Sequence, residues 1–195
     1  MDTYQNKYRI PSARANWWNY AWEGAYFITI CSKDRNHYFG EINDGKMILS
    51  PLGILADVFW YEMKNHAKNI VLGAFVVMPN HIHGILILDH QNKLLIDNES
   101  SMDNNVSNSV VQTRHALSLP LSESQKRFRN PGKNTVSSII GGYKSAVSKH
   151  ANRLGFDFAW QSRFHDHIIR NDDEYQRIND YIENNPQKWN DDELY

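Results

Sequence analysis

The chain is short of several things, and each shortage excludes something. It has one cysteine, Cys31, in 195 residues. A lone cysteine cannot build an intrachain disulfide framework. No run of about 18 apolar residues occurs, so no segment is expected to span a membrane. The first residues, Met1 to Lys7, lack the charged-then-apolar layout of a signal peptide. Neither sign of charge dominates: 21 Lys and Arg face 22 Asp and Glu, for a net charge of −1. A cytoplasmic location is the expectation. What is there is ordinary for a globular protein, with 41% hydrophobic and 22% charged residues. The length suffices for one domain with a real core, or one domain plus an insertion.

The near-zero net charge hides an asymmetry. Lys126, Arg127, Arg129, Lys133, Lys144, Lys149, Arg153, Arg163 and Arg170 form a basic block opposed only by Asp157 and Asp166. From Asn171 to Tyr195, acids dominate and only Arg177 and Lys188 oppose them. A basic block can face phosphates even in a neutral protein. It can equally be a solvated helix face.

Residues 1–24 read as a polar and aromatic arm carrying Trp17, Trp18, Tyr20 and Trp22. Ala25–Ser32 is rich in β formers and reads as a buried strand. Tyr38–Ile42 and Lys46–Leu49 flank Asn43-Asp44-Gly45, a hairpin signal. Ser50 as N-cap and Pro51 at the first helical position open a helix to about His66. Leu52, Leu55, Phe59 and Met63 fall at helical spacing along it. Asn69–Val77 and His81–Leu88 are the next strands. Residues 89–134 are polar and irregular, and read as an insertion or mobile loop. Thr135–Leu154 is a second helix, with Ile139, Ile140, Tyr143, Ala146 and Val147 inward and Lys144, Lys149 and Arg153 outward. Phe164–Arg170 is a short strand. A third helix, capped by Asn171 or Asp172, runs to about Asn184 and is expected to end at Pro186. Residues 190–195 are an acidic tail. With the hairpin and last helix set aside, the order is β-α-β-β-α-β. That is the α+β, ferredoxin-like split βαβ plan: an antiparallel sheet with helices on one face, here with an added C-terminal helix.

The most informative stretch is Met78-Pro79-Asn80-His81-Ile82-His83, which leads into an apolar strand. Side chains alternate along a strand, so His81 and His83 share a face. Two adjacent imidazoles form half of a divalent-metal site. On the last helix Tyr181 and Asn185 are four apart and also share a face. If the two faces meet, two imidazoles, an amide oxygen and a phenol converge, a set suited to phosphoryl transfer. His165 and His167 form a second His-x-His pair, and spacing alone does not decide between the pairs. Arg163 and Arg170 beside it look more like phosphate contacts.

Four motifs now stand in a fixed order. They are Met78-Pro79-Asn80-His81-Ile82-His83, the basic helix around Tyr143-Lys144-Ser145, Trp160-Gln161-Ser162-Arg163-Phe164, and Tyr181-Ile182-Glu183-Asn184-Asn185-Pro186. In these the chain resembles the IS200-like transposases, most of all their REP-associated tyrosine branch. The resemblance runs from about Ala25 to Trp189, apart from 89–134. It implies a single HUH nuclease domain over 25–189. It implies Mg²⁺ or Mn²⁺ held by His81, His83 and Asn185, with Tyr181 as nucleophile. Such enzymes cut single-stranded DNA and leave a 5′-phosphotyrosine and a free 3′-OH. The implied substrate is single-stranded DNA at the foot of an imperfect palindromic hairpin, met at the nucleoid. The REP-associated pattern favours a monomer with its site in cis over a homodimer.

The residues agree in kind with such a substrate. Lys144, Lys149, Arg153, Arg163 and Arg170 are candidate DNA contacts. Trp17, Trp18 and Trp22 could stack on unpaired bases, or pack the arm. Histidines must be neutral to bind metal, so activity is expected to fall below about pH 6. Two other functions stand beside the nuclease. One is a domesticated, noncatalytic DNA-binding protein on the same fold. The other is a metal hydrolase using His81, His83, His165 and His167.

Overall fold

The computed structural model describes residues 21–89 and 134–191, together with two short paired strands, β1 (Thr3–Tyr4) and β2 (Lys7–Tyr8). Trp17, Trp18, residues 90–133 of the expected insertion and the tail after 191 lie outside the described residues.

Four strands make the central sheet: β3 (Gly24–Cys31), β6 (Ile70–Val77), β7 (His81–Leu88) and β8 (His165–Ile169). Their spatial order is β6-β7-β3-β8, and every neighbouring pair is antiparallel. A separate hairpin, β4 (Gly40–Asn43) and β5 (Lys46–Leu49), turns at Asp44-Gly45, both in the left-handed region. Among the described residues there are three α-helices: α1 (Pro51–His66), α2 (Val136–Arg153) and α3 (Asp172–Asn184). This is the expected α+β, split βαβ architecture, and each boundary falls within about two residues of its sequence reading.

Strand alternation sorts the sheet into two faces. Tyr26, Ile28, Ile30, Ile82, Leu86 and Leu88 point to the face covered by α1 and α2, where the larger core lies. Ile85, Phe27, Ala25 and Val76 point to the other face, where Ile178 and Ile182 of α3 close a smaller core. Among the described residues, α3 is the helix that packs on this face.

The helices start where the sequence indicates. The Ser50 hydroxyl accepts from the Gly53 N–H at 3.0 Å, with Pro51 next in line. Thr135 and Ser138 cap each other reciprocally at the start of α2. Asn171 Oδ1 accepts from the Glu174 N–H at 2.9 Å at the start of α3. The two helices of the larger core are tied by Tyr143, whose buried hydroxyl donates to the Ala56 carbonyl at 2.8 Å.

Two details differ from expectation. The buried stripe of α1 is Leu52, Ala56, Trp60 and Met63, while Leu55 and Phe59 are only partly buried. Trp60 takes the central place because its ring stacks on Phe75, with centroids 4.5 Å apart and planes 11° apart. The α-helix ends at Asn184, just before Pro186 as expected, but the chain goes on in a helical path. It tightens into a 3-10 segment, Asn185–Asp191. Proline lacks the N–H that an α-helix interior requires, but it is tolerated in a first turn.

Candidate active site

The β6–β7 turn delivers the first histidine. The Met78 N–H donates to the His81 carbonyl at 2.8 Å and closes the turn. The Asn80 carbonyl accepts from the Ser32 N–H at 2.8 Å, and the Pro79 carbonyl accepts from the Phe39 N–H at 3.0 Å. The turn is thus bound to the end of β3, and His81 and His83 enter the sheet on the α3 face. Both are buried, with ring centroids 4.4 Å apart.

Each imidazole is oriented through Nδ1. Asn80 Oδ1 lies 2.7 Å from His81 Nδ1. An amide oxygen only accepts, so Nδ1 carries the proton and Nε2 presents its lone pair. Thr29, the cross-strand partner of His83, places Oγ1 2.9 Å from His83 Nδ1. On its other side His83 Nε2 is 3.3 Å from the Tyr181 hydroxyl. Tyr181 is 43% exposed, so the tyrosine is open to solvent in part while it meets a buried imidazole. Phe27 packs against both, at 5.1 Å from His83 and 6.1 Å from Tyr181.

Asn185 follows one helical turn after Tyr181 and is 2% exposed. Its Oδ1 is buried and accepts no hydrogen bond. A buried acceptor left without a donor costs on the order of 1–3 kcal/mol. A cation would satisfy it. Two imidazole nitrogens and one amide oxygen form a neutral set that fits Mg²⁺ or Mn²⁺ and leaves the ion's charge undiminished for phosphate oxygens. The residues present therefore fit the implied metal.

Burial first, and the charge of Arg35 second, push His81 down from the usual 6.5 to about 3. Arg35 sits in the turn after β3, where it and Asp34 both occupy the left-handed region. The native ring stays neutral where an unfolded one would take a proton. Stability is unaffected above about pH 6.5 and falls as pH drops from there toward 3, by up to about 1.4 kcal/mol per pH unit. The expected loss of activity near pH 6 therefore does not originate in His81. Urea unfolding at about pH 7.5 and pH 5 tests this burial: His81→Gln is expected to remove roughly 2 kcal/mol of the acid loss. An equal acid loss in both proteins would contradict it.

The second histidine pair goes elsewhere. His167 Nε2 contacts Glu174 Oε1 at 2.8 Å, and this bond, with that from the Arg170 N–H, holds the Glu174 carboxyl below its usual range. Among the described residues no group of three or more His, Cys, Asp and Glu side chains gathers to hold an ion. The four-histidine site is corrected on that ground.

The candidate DNA contacts spread apart. Lys144 does not point freely outward, as its sequence position suggested. Its Nζ donates to the Gln161 carbonyl at 2.6 Å and the Arg163 carbonyl at 3.2 Å, and lies 5.9 Å from the Trp160 ring. Burial lowers its pKa. It supports the loop that carries Arg163. That loop joins the His81 end of the sheet, where the Gln161 N–H donates to the Cys31 carbonyl. Arg163 is exposed there, and Lys149 and Arg153 are exposed on α2. Arg170 follows the Ile169–Ala25 pair at the opposite end of β3, roughly 20 Å from the His81 pairing at 3.3 Å per residue. Asn80, Thr29, Arg35 and Trp189 belong to the site's surroundings and were missed from sequence. The position of Asn80 immediately before the His-x-His pair was the one available signal.

No family model matches the chain. An uncharacterised protein of Haemophilus influenzae is 32% identical over 186 residues, spanning 94% of this chain and 92% of that protein. The chain belongs to that protein's family. Among solved structures, a REP-associated tyrosine transposase bound to a REP hairpin superposes with a TM-score of 0.54 at 20% identity, over 90% of this chain and 74% of that one. The fold is the one expected from the sequence motifs, that of the IS200-like, REP-associated tyrosine transposases. Among the described residues no helix is long and apolar enough to cross a membrane.

Proposed function

We propose that this protein is a transposase that nicks single-stranded DNA and transfers the strand through a covalent tyrosine intermediate. The observation that carries the reading is the Tyr181 hydroxyl 3.3 Å from His83 Nε2, on the helix that one turn later carries the buried and unsatisfied Asn185 Oδ1. The transposase of the same fold bound to a REP hairpin supports hairpin DNA as partner. The reaction takes place in the cytoplasm, on chromosomal DNA.

His81, His83 and Asn185 would hold Mg²⁺ or Mn²⁺. Bound there, the ion supplies positive charge at the phosphate oxygens and eases ionisation of a nearby phenol. Tyr181 Oη forms a bond to phosphorus as the bond from phosphorus to O3′ breaks. The phenolic proton passes to solvent, and the departing O3′ takes up a proton to become a 3′-OH. The 5′-phosphate stays on Tyr181 as a phosphodiester, so the reverse attack by another 3′-OH rejoins a strand without an energy source. Phe27 and His83 restrict the tyrosine ring and keep its oxygen near the reacting centre. Exposed Arg163 would contact phosphates near the cut, while Lys144 would act by holding its loop. Tyr181 reaches His83 of its own chain at 3.3 Å, which supports a site working in cis.

Removal of metal tests the reading. Cleavage of a labelled single-stranded hairpin is expected to stop with EDTA and return with Mg²⁺ or Mn²⁺. Asn185→Ala is expected to raise the metal concentration needed for half-maximal cleavage by about 10-fold or more. Full cleavage in EDTA would rule out the metal-dependent mechanism.

A further inference from the structure

Trp189 lies four residues beyond Asn185 on the 3-10 segment and is 6% exposed. Its ring centroid is 5.9 Å from that of His81, with planes tilted by 30°. His37 meets the same indole at 5.7 Å and 64°. The segment also touches the β4–β5 hairpin, where Gln187 lies against Gly45.

Two site residues need what this packing offers. His81 is hydrogen-bonded to Asn80 at Nδ1, and an imidazole held at one nitrogen can still tip about that bond. Asn185 Oδ1 is not held by any hydrogen bond, so its place depends on how its segment packs. Its own N–H donates to the Ile182 carbonyl, and Ile182 is fully buried below. Further along the same segment, Trp189 is the next buried side chain. One indole therefore lies against the first histidine and anchors the turn that carries the amide.

We propose that Trp189 is a positioning residue that sets the ring plane of His81 and the place of Asn185 together. It touches neither substrate nor ion. It makes the three donors converge before an ion arrives, as outer groups do around metal ligands generally. The proposal rests on the reading of His81, His83 and Asn185 as a cation site.

The test is Mn²⁺ binding to the full chain, without DNA, by isothermal titration calorimetry. Trp189→Leu keeps apolar volume but loses the flat face, and is expected to weaken Mn²⁺ binding by about 10-fold or more. Trp189→Phe keeps an aromatic face and is expected to retain most of the affinity. Circular dichroism confirms that both are folded, and metal-free binding of single-stranded DNA is expected to stay unchanged. Asn185→Ala serves as the reference. If it loses Mn²⁺ binding while Trp189→Leu binds as wild type does, the positioning role is overturned and the cation site stands. If both bind Mn²⁺ as wild type does, the cation site itself is wrong and the positioning role falls with it. Equal losses in Trp189→Leu and Trp189→Phe would show that the aromatic face is not what matters.

Discussion

Tyr181→Phe is expected to abolish covalent attachment of DNA, by a factor on the order of 10⁴ or more, while leaving the protein folded and DNA binding nearly intact. The substitution removes one oxygen. The phenyl ring keeps its edge contact with Phe27 and its place beside His83, so the packing that locates α3 survives. The hydroxyl is not a buried structural hydrogen bond either. It sits on a side chain 43% exposed, at 3.3 Å from His83 Nε2, so its loss costs little stability. A band of DNA-linked protein on a denaturing gel measures attachment, and a native gel measures binding. Cleavage retained by Tyr181→Phe would remove Tyr181 as nucleophile. If wild type shifts DNA without forming the linked band, the noncatalytic DNA-binding reading takes over.

The second large effect concerns the strand that carries the histidines. Gly84→Ala is expected to destabilise the fold by about 3 kcal/mol, by overpacking. A Cβ on Gly84 would stand 2.3 Å from Trp60 Cζ2, 2.7 Å from Cη2 and 3.1 Å from Cε2. The indole cannot retreat easily, because it is fully buried, stacks on Phe75 and meets Tyr143 edge-on. Something must shift, and β7 is the other partner in the clash. His83 precedes Gly84 and Ile85 follows it, so a displaced strand moves a histidine on the opposite face. Loss of stability in urea is therefore expected together with weaker Mn²⁺ binding. A Gly84→Ala protein as stable as wild type would show that Trp60 is not packed against this strand.

Much of this arrangement was legible in the sequence because it follows from local periodicity. Alternation placed His81 and His83 on one face, helical spacing placed Tyr181 and Asn185 on another, and both were read without knowing the pairing. The same holds for the β-α-β-β-α-β order, whose strands and helices have strong periods and good caps. What escaped depends on contacts between distant elements. Lys144 looks like a free surface charge on α2, and only the return of the Trp160–Arg163 loop gives its ammonium two carbonyls. Helical spacing puts Leu52, Leu55, Phe59 and Met63 in one stripe of α1, and of these Leu52 and Met63 are buried while Leu55 and Phe59 are only partly so. The glycine at 84 opens the space that draws Trp60 inward instead. Thr29 beside His83 is a matter of register between β3 and β7, which no single segment encodes. Trp189 lies past a proline that normally ends a helix, and its partner His81 is more than a hundred residues earlier.

The most direct measurement is to digest the wild-type protein after reaction with a single-stranded hairpin and a divalent metal, and to locate the nucleotide adduct by mass spectrometry. The expected result is one modified peptide, with the 5′-phosphate of the DNA on Tyr181, and an equal amount of DNA ending in a free 3′-OH. Cleaved DNA with no adduct, or an adduct on any other residue, would contradict the tyrosine mechanism.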